Sequence, residues 1–210
     1  MNLLFALLIA FAVALLAERL GWLRPKAAWA AALVGGLPLW AGGLTAALAV
    51  IFLVALGSMA SRLNPSSPDR AGRTAFQVLA NGWPAALGIA LGSPVFFLAA
   101  LATAAADTLA TEMGSRSRWA WHPLKGRVKP GTNAAVSGPG TLALVLGAGL
   151  FAPWAWGLGV SAGAVVLGGM AGALADTLLG LVEDRLRWWS NDLTNLLATT
   201  TGGLVALWLA

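Results

Sequence analysis

The sequence contains no cysteine, no tyrosine and a single histidine among its 210 residues. Without cysteine the chain can form neither a disulfide bond nor a thiolate metal site, and one histidine excludes a site that needs two imidazole ligands. Charged residues are also scarce: they make up 10% of the chain, against 59% hydrophobic residues. Soluble domains carry about a quarter charged residues, so this composition indicates an integral membrane protein.

The apolar segments are long enough for seven or eight membrane-spanning helices, since one span needs about 20 apolar residues. The runs lie at about 2–17, 27–39, 41–60, 74–91, 94–113, 137–152, 155–182 and 193–210. The second and sixth runs are short for a membrane span, so the sequence does not decide between seven and eight spans. No polar segment is long enough for a soluble domain. The sequence therefore predicts an all-α, polytopic membrane protein with one transmembrane domain over residues 1–210.

All 13 lysines and arginines fall in four loops, at 18–26, 61–73, 114–136 and 183–192. Eight spans would put these loops on one side, which the positive-inside rule makes the cytoplasmic side of the plasma (inner) membrane. Both termini would then lie outside. The net charge of +5 would attract anionic lipid heads or phosphorylated substrates to that face. Nucleic acid is excluded as a partner because no basic domain exists to bind it.

Two acidic residues, Asp107 and Asp176, lie inside apolar segments. A carboxylate in hydrocarbon normally faces a partner, an ion or a water-filled cavity. From the helical rise, both carboxylates and Asn81 lie roughly 10–13 Å from the charged loops. This agreement in depth favours one shared site that faces the cytoplasm. Hydrogen bonding between helices, without any site, is the alternative.

Polar or small residues recur at helical spacing on four segments. They are Arg73, Gln77 and Asn81; Thr103, Asp107 and Thr111, with Glu112 following; Asp192, Asn195 and Thr199; and the small-residue seam from Ala164 through Gly168 and Gly172 to Gly180. Such a seam permits close helix packing, either within the chain or in a homodimer. The stretch 81–84, Asn-Gly-Trp-Pro, is expected to break or bend its helix.

The longest charged loop carries five basic residues, among them Arg116 and Lys129, before a tract of small residues. That tract contains Gly131, Thr132, Asn133 and the helix-starting Ser137. Backbone N–H groups of such a turn, together with basic side chains, can bind phosphate. It is not the phosphate loop of soluble nucleotide hydrolases, because no Gly-Lys-Ser/Thr follows. An ordinary positive-inside loop is the alternative, and His122 is interpreted as an interfacial loop residue.

Carboxylates beside a basic loop suggest divalent metal chemistry. Oxygen ligands from Asp107, Glu112 and Asp176 suit Mg²⁺, which typically takes one or two carboxylates plus substrate phosphates and water. Phosphoryl transfer needs mainly positioning and charge neutralisation. A phosphate acceptor is already anionic near neutral pH, so the chemistry requires no strong general base.

Five motifs, in order from about residue 70 to the C-terminus, carry a resemblance to a known family. They are Gln77-Val-Leu-Ala-Asn-Gly82, Asp107-Thr-Leu-Ala-Thr-Glu-Met-Gly114, Lys129-Pro-Gly-Thr-Asn133 with Ser137, Gly172-Ala-Leu-Ala-Asp-Thr-Leu-Leu-Gly180, and Asn191-Asp192 with Asn195. The sequence resembles the integral-membrane phytyl-phosphate and prenyl-phosphate kinases, catalogued as domain-of-unknown-function family ninety-two. That family is distantly similar to membrane CTP-using enzymes such as dolichol kinases and CDP-diacylglycerol synthases.

The resemblance implies phosphoryl transfer from a nucleoside triphosphate, CTP by analogy, to an isoprenoid monophosphate such as phytyl or geranylgeranyl phosphate. Catalytic roles would fall to Asp107, Asp176 and Lys129, and Mg²⁺ would bind to Asp107, Glu112 and Asp176. The predicted substrate-binding residues are Arg73, Asn81, Arg116, Lys129, Gly131, Thr132, Asn133, Ser137, Asp192 and Asn195. The chain departs from the family pattern Gly-Thr-Asn-Gly-Gly at Ala134 and Ala135, which restricts the backbone of the loop.

Two other functions use the same residues. A CTP-dependent cytidylyltransferase that makes a CDP-lipid would share the metal and triphosphate site but would release pyrophosphate instead of CDP. A transporter could use Asp107 and Asp176 to bind a cation or a proton, with a broken helix at 81–84. A transporter requires access from both sides, however, and the outer halves of these segments are nearly devoid of polar groups.

Overall fold

The computed structural model describes all residues 1–210, and nearly all of its regular structure is helical. The helices are α1 (Leu3–Arg19), α2 (Ala28–Leu63), α3 (Ala75–Ala90), α4 (Pro94–Gly114), α5 (Gly138–Gly149), α6 (Ala152–Gly157), α7 (Ala162–Glu183) and α8 (Asn191–Leu209). A short 3₁₀ helix covers Pro68–Ala71. The loop between α4 and α5 contains an antiparallel hairpin of β1 (Ala120–His122) and β2 (Gly126–Val128), which the sequence analysis did not predict.

Four helical segments are long and apolar enough to cross a membrane. They are Ala28–Leu63, Pro94–Gly114, Gly138–Gly157 and Ala162–Glu183, the third of which combines α5 and α6. This supports the predicted helical membrane protein, whereas the count of seven or eight spans is not confirmed. Helices α1 and α3 have only 17 and 16 residues, near the lower limit of about 17 for a span.

Helix α2 is interrupted by a kink. Gly43 has φ of 68° and ψ of −159° inside its 36 residues, a conformation that glycine adopts without the steric cost of a side chain. The kink lies close to the boundary between the predicted apolar runs 27–39 and 41–60. The kink therefore divides α2 into two helical segments that correspond roughly to these two apolar runs.

Hydroxyl side chains begin most of the helices. Ser93, Ser137, Ser161 and Ser190 each accept a backbone N–H bond from the first turn of α4, α5, α7 and α8. Thr74 and Gln77 form a reciprocal capping box at the start of α3. Such caps satisfy N–H groups that a helix leaves without partners, so they help to set where these helices begin, both after charged loops and after the uncharged turns.

The stretch 81–84 was predicted to break or bend its helix; helix α3 continues through Pro84 to Ala90, so the break is wrong. Proline has no N–H to donate to the carbonyl of Ala80, one turn earlier. The hydroxyl of Thr199 on α8 lies 3.3 Å from that carbonyl oxygen, although it also lies 2.8 Å from the carbonyl of Asn195. A neighbouring hydroxyl is one of the known ways in which a membrane helix tolerates proline.

Helix α4 lies at the centre of the structure, and its side chains from Phe97 to Ala106 are all buried. Glycines on α7 let α7 pack closely against α4. A Cβ at Gly169 would clash with Ala102 of α4, and one at Gly172 would clash with Thr103. The close approach brings Asp107, on α4, and Asp176, on α7, to the same level of the bundle.

The small-residue seam on α7 packs inside the chain. Gly168 faces the backbone of Gly202 on α8, and Gly172 faces the backbone of Ala198 as well as Thr103. Gly180 faces Asn133 of the charged loop. Of the two arrangements predicted for the seam, intrachain packing is therefore observed, and the seam requires no homodimer.

The four charged loops lie together at one end of the bundle. A backbone hydrogen bond joins loop 18–26 to loop 61–73: the N–H of Arg24 donates to the carbonyl oxygen of Arg73 at 2.9 Å. Asn64 donates to Ser115 Oγ at 3.0 Å, which links loop 61–73 to loop 114–136. Lys125 and Asp184 form an ion pair at 3.1 Å that reaches the fourth loop. The candidate functional site lies where these loops meet the helices.

Candidate functional site

A cavity of about 930 Å³ lies among the charged loops and the adjoining ends of α3, α4, α7 and α8. All four loops contribute to its lining. The predicted site residues that line it are Arg73, Asn81, Asp107, Glu112, Gly131, Thr132, Asn133, Ser137, Asp176, Asp192 and Asn195. Residues from distant parts of the sequence thus meet at one cavity. Its volume lies within the roughly 300–1,000 Å³ that is typical of small-molecule sites.

Asp107 and Asp176 both line this cavity, and each carboxylate is close enough to influence the other electrostatically. Asp176 Oδ1 is buried and has no hydrogen-bond partner in the protein. Adjacent carboxylates repel each other, so the pair is stable with a shared proton or with a cation between its oxygens. The unpartnered oxygen is an acceptor that the fold leaves free for such a group.

Arg73 supplies positive charge next to this pair. Its guanidinium donates to Thr108 Oγ1 at 3.3 Å, one residue from Asp107, and lies against Gly57, where a Cβ would occupy its place. Burial lowers the pKa of Arg73 from its ordinary value, while Asp69, Glu112 and Asp107 act in the opposite direction. Arg73 has no carboxylate within salt-bridge distance, since Lys125–Asp184 is the sole ion pair in the chain. Its charge is therefore available to an anionic ligand.

The loop 131–134 forms another wall of the cavity through an unusual backbone. Gly131 has φ of 82°, and Ala134 has φ of 56°, a left-handed conformation that glycine adopts far more readily than alanine. Asn133 donates to Gly180 O at 3.2 Å and to Asp184 Oδ1 at 3.3 Å. These bonds fix the loop to the end of α7, close to Asp176.

The ion pair between Lys125 and Asp184 joins the hairpin loop to the same end of α7. The hydrogen bond from Lys125 is the main cause that lowers the pKa of Asp184. Both side chains are exposed to solvent, so the pair adds little stability. Its role is to orient Asp184 as an acceptor for Asn133.

The family of the chain can be assigned by comparison with known proteins. The family model "Integral membrane protein DUF92" matches residues 8–203. The chain belongs to this family. It is also 28% identical to an uncharacterized membrane protein of Methanocaldococcus jannaschii, over 98% of this chain and 93% of that protein. No solved structure matches the chain significantly.

Glu112 of this DUF92 protein is not placed with the aspartate pair, contrary to the predicted set of three metal ligands. Ser61 and Ser67 donate to its Oε1, each at 2.6 Å, and Asn64 donates to Oε2 at 2.7 Å. No group of three or more acidic or histidine side chains is arranged to hold a metal ion. Because both oxygens of Glu112 have donors, this carboxylate anchors loop 61–73 to α4.

Lys129 and Arg116 are not among the residues that line the cavity of the DUF92 chain. Both side chains are exposed, and the carbonyl of Lys129 accepts a bond from Thr132 Oγ1 at 2.6 Å. Lys129 and Arg116 do lie in the charged loop, as the sequence shows. Their positions in the sequence do not reveal the direction of their side chains. The structure therefore gives no geometric support to the catalytic role predicted for Lys129.

His122 is fully buried instead of interfacial. Its Nδ1 accepts the backbone N–H groups of Leu124 and Lys125, at 3.0 and 3.2 Å. The imidazole thereby holds the turn between β1 and β2. No signal in the sequence distinguished this turn-forming histidine from an exposed loop residue.

Sequence reasoning missed several residues that line the cavity or support it. Arg24 lines it and donates to Gly72 O at 3.1 Å, and Asp69 lines it and accepts from Gln77 at 2.8 Å. Both lie in irregular loops, where no helical spacing points to a common face. Their charge is the only available signal, and it indicates the face of the membrane and its attraction for anions without identifying which charged residues line a cavity.

Proposed function

We propose that this DUF92 protein is a membrane kinase that transfers a phosphoryl group from a nucleoside triphosphate, CTP by family analogy, to an isoprenoid monophosphate. The observation that carries the proposal is the Asp107–Asp176 pair, with its unpartnered oxygen, in a cavity also lined by Arg73 and the Gly131–Asn133 turn. Carboxylates beside phosphate-binding groups are the combination that a metal–triphosphate complex requires.

The residues present fit a Mg²⁺ ion held by two carboxylates and completed by substrate phosphates and water. Mg²⁺ is typically bound in this way, without a cage of protein ligands. Asp107 and Asp176 would hold it, and Asp176 Oδ1 would gain the partner that the protein does not provide. When bound, the ion would neutralise charge on the transferred phosphoryl group.

The protein would contribute to the transfer mainly by position. Arg73 would bind phosphate oxygens, and the loop 131–133 would hold the triphosphate over the aspartate pair. An oxygen of the acceptor phosphate forms the new bond to the γ-phosphorus, while the bond from that phosphorus to the β–γ bridging oxygen breaks and CDP leaves. No protein base is needed, because the acceptor oxygen is already anionic near neutral pH.

We further propose an eight-span topology in which the kinked α2 counts as two spans and α5 with α6 as one. The charged loops and the cavity would face the cytoplasm, and both termini would lie outside, in the plasma (inner) membrane. The meeting of all four charged loops at one cavity supports this arrangement, because an even number of crossings separates each loop from the next.

The decisive experiment incubates the purified protein in nanodiscs with Mg²⁺, geranylgeranyl monophosphate and labelled CTP, or ATP in parallel, and identifies products by mass. Geranylgeranyl diphosphate and CDP are expected. Pyrophosphate with a CDP-lipid would instead show a cytidylyltransferase. Cation-driven uptake into vesicles, with no phosphorylated product, would show a transporter, and either result overturns the kinase.

A further inference from the structure

A second cavity of about 430 Å³ is lined by residues of α2, α3 and α8. It adjoins the cavity of about 930 Å³ described above, which we call the polar cavity. The lining of the second cavity is apolar except for one residue. The lining residues are Trp29, Leu33, Phe76, Leu79, Ala80, Trp83, Asp192, Leu193 and Leu196. We call this cavity the apolar groove.

The apolar groove and the polar cavity meet at Asp192, which lines both. Away from Asp192, helices α3 and α8 lie between the two cavities, and each helix contributes residues to both. On α3, Gln77 and Asn81 face the polar cavity, while Phe76 and Leu79 face the groove. On α8, Asn195 lines the polar cavity and Leu196 lines the groove. A molecule with a polar head and a hydrocarbon chain could therefore occupy both spaces by passing Asp192.

We propose that the apolar groove binds the isoprenoid chain of the lipid monophosphate and admits it from the bilayer between α3 and α8. The inference rests on the proposed function for the identity of the headgroup. It assigns the residues of the groove, which take no part in phosphoryl transfer, to recognition of the hydrocarbon chain.

Charge determines the direction of the lipid. Asp192 would repel a phosphate at the junction, whereas an uncharged chain can pass it. Arg73 lines the polar cavity without a carboxylate partner and attracts the headgroup inward. The phosphate therefore lies inside the polar cavity, and the chain extends outward past Asp192 into the groove.

The chemistry of the groove suits a branched, unsaturated chain. Trp29, Phe76 and Trp83 are aromatic, and Phe76 and Trp29 are 71% and 48% exposed. Exposed aromatic residues alone are ordinary at a membrane interface. Here they line a concave space that shares Asp192 with the polar cavity, so they are placed to contact the chain of a lipid whose headgroup lies in that cavity.

The test introduces a bulky residue into the groove by Leu196→Trp. The matched control is Leu197→Trp, one position further along α8, which is exposed and does not line the groove. With geranylgeranyl monophosphate, Leu196→Trp is expected to raise KM at least tenfold, with kcat nearly unchanged. With the five-carbon dimethylallyl monophosphate, which is too short to fill the groove, KM should change less than twofold. Leu197→Trp should leave both KM values unchanged.

A binding measurement separates this inference from the kinase proposal. Geranylgeranyl monophosphate with a photoreactive diazirine near the end of its chain is crosslinked to the wild-type protein, and the labelled peptides are mapped by mass spectrometry. Labelling of α3 and α8 at the groove, lost in Leu196→Trp, is expected whether or not turnover occurs. Turnover with labelling elsewhere, or with no dependence of KM on chain length in Leu196→Trp, overturns the groove and leaves the kinase intact. Groove labelling without turnover supports the groove and counts against the kinase.

Discussion

The acidic residues Glu112 and Asp176 differ in the hydrogen-bond partners that the protein provides for them. Glu112 receives three hydrogen bonds from loop 61–73, so its charge is compensated within the fold. Asp176 retains a buried oxygen without any partner. A buried polar group left unpaired costs free energy. Ser58 Oγ and His122 Nε2 are unpaired too, but among these atoms only that of Asp176 belongs to a residue that lines the cavity.

The variants Asp176→Asn and Glu112→Gln should therefore differ in their effect on stability, and Asp176→Asn should lose activity. Asp176→Asn removes one of two repelling carboxylates, so resistance to unfolding should be unchanged or higher, while Mg²⁺-dependent turnover falls at least 100-fold. Glu112→Gln places an N–H₂ group among donors and should lower the free energy of unfolding by about 2 kcal/mol.

Unfolding by SDS titration and turnover at saturating Mg²⁺ measure the two quantities. Leu178→Ala, at an exposed position two residues after Asp176, is the control for substitution on α7. Full turnover in Asp176→Asn would refute its assignment as a metal ligand. A strongly destabilised Asp176→Asn would show that its carboxylate is structural.

Ala134 offers a second prediction at the residue scale. Its left-handed backbone, with φ of 56°, costs alanine roughly 1–2 kcal/mol relative to glycine, and the greater flexibility of unfolded glycine offsets about half of that. Ala134→Gly should therefore raise the free energy of unfolding by up to about 1 kcal/mol. The control Ala135→Gly, without a positive φ, should lower it. The same SDS titration decides, and equal effects would argue against strain at residue 134.

At the scale of secondary-structure elements, the contact between α3 and α8 shows how a proline is accommodated. Pro84 leaves the carbonyl of Ala80 without its usual donor, and Thr199 lies within hydrogen-bonding distance of it. The sequence predicts a break or a bend at this position because Asn-Gly-Trp-Pro is a turn signal in isolation. This hydroxyl lies 115 positions away from the proline in the sequence, so spacing along the chain gives no sign of the contact.

The interaction between these two helices can be measured by a double-mutant cycle. Thr199→Val should lower the free energy of unfolding by about 0.5–1 kcal/mol, whereas Thr199→Ser keeps the hydroxyl and should have a smaller effect. Pro84→Ala restores the backbone N–H, so Thr199→Val in that background should cost less. SDS titration of the four proteins gives the coupling energy. Additive effects would show that Thr199 serves only its own helix through Asn195.

At the scale of the whole molecule, the sequence predicted which helix residues meet at one cavity better than it predicted the elements around them. Asp107, Asp176 and Asn81 were placed at one level because helical spacing converts sequence position into depth. The direction of Lys129 and the partners of Glu112 could not be found in this way, since loops have no fixed spacing. The β1–β2 hairpin was missed for the same reason: each strand has three residues, too few for a periodic pattern.

The eight-span arrangement gives a final prediction, which the absence of cysteine makes convenient to test. Single cysteines can be introduced into an otherwise cysteine-free chain and labelled in intact cells with a membrane-impermeant maleimide. We expect Leu91→Cys, Trp156→Cys and Ala210→Cys to react at once, because the bare turns and the C-terminus would lie outside. Ser66→Cys, Arg118→Cys and Arg187→Cys should react only after permeabilisation. A complete reversal would refute the cytoplasmic placement of the cavity, and a reversal of Ala210→Cys alone would favour seven spans, because an odd number of crossings changes the side of one terminus.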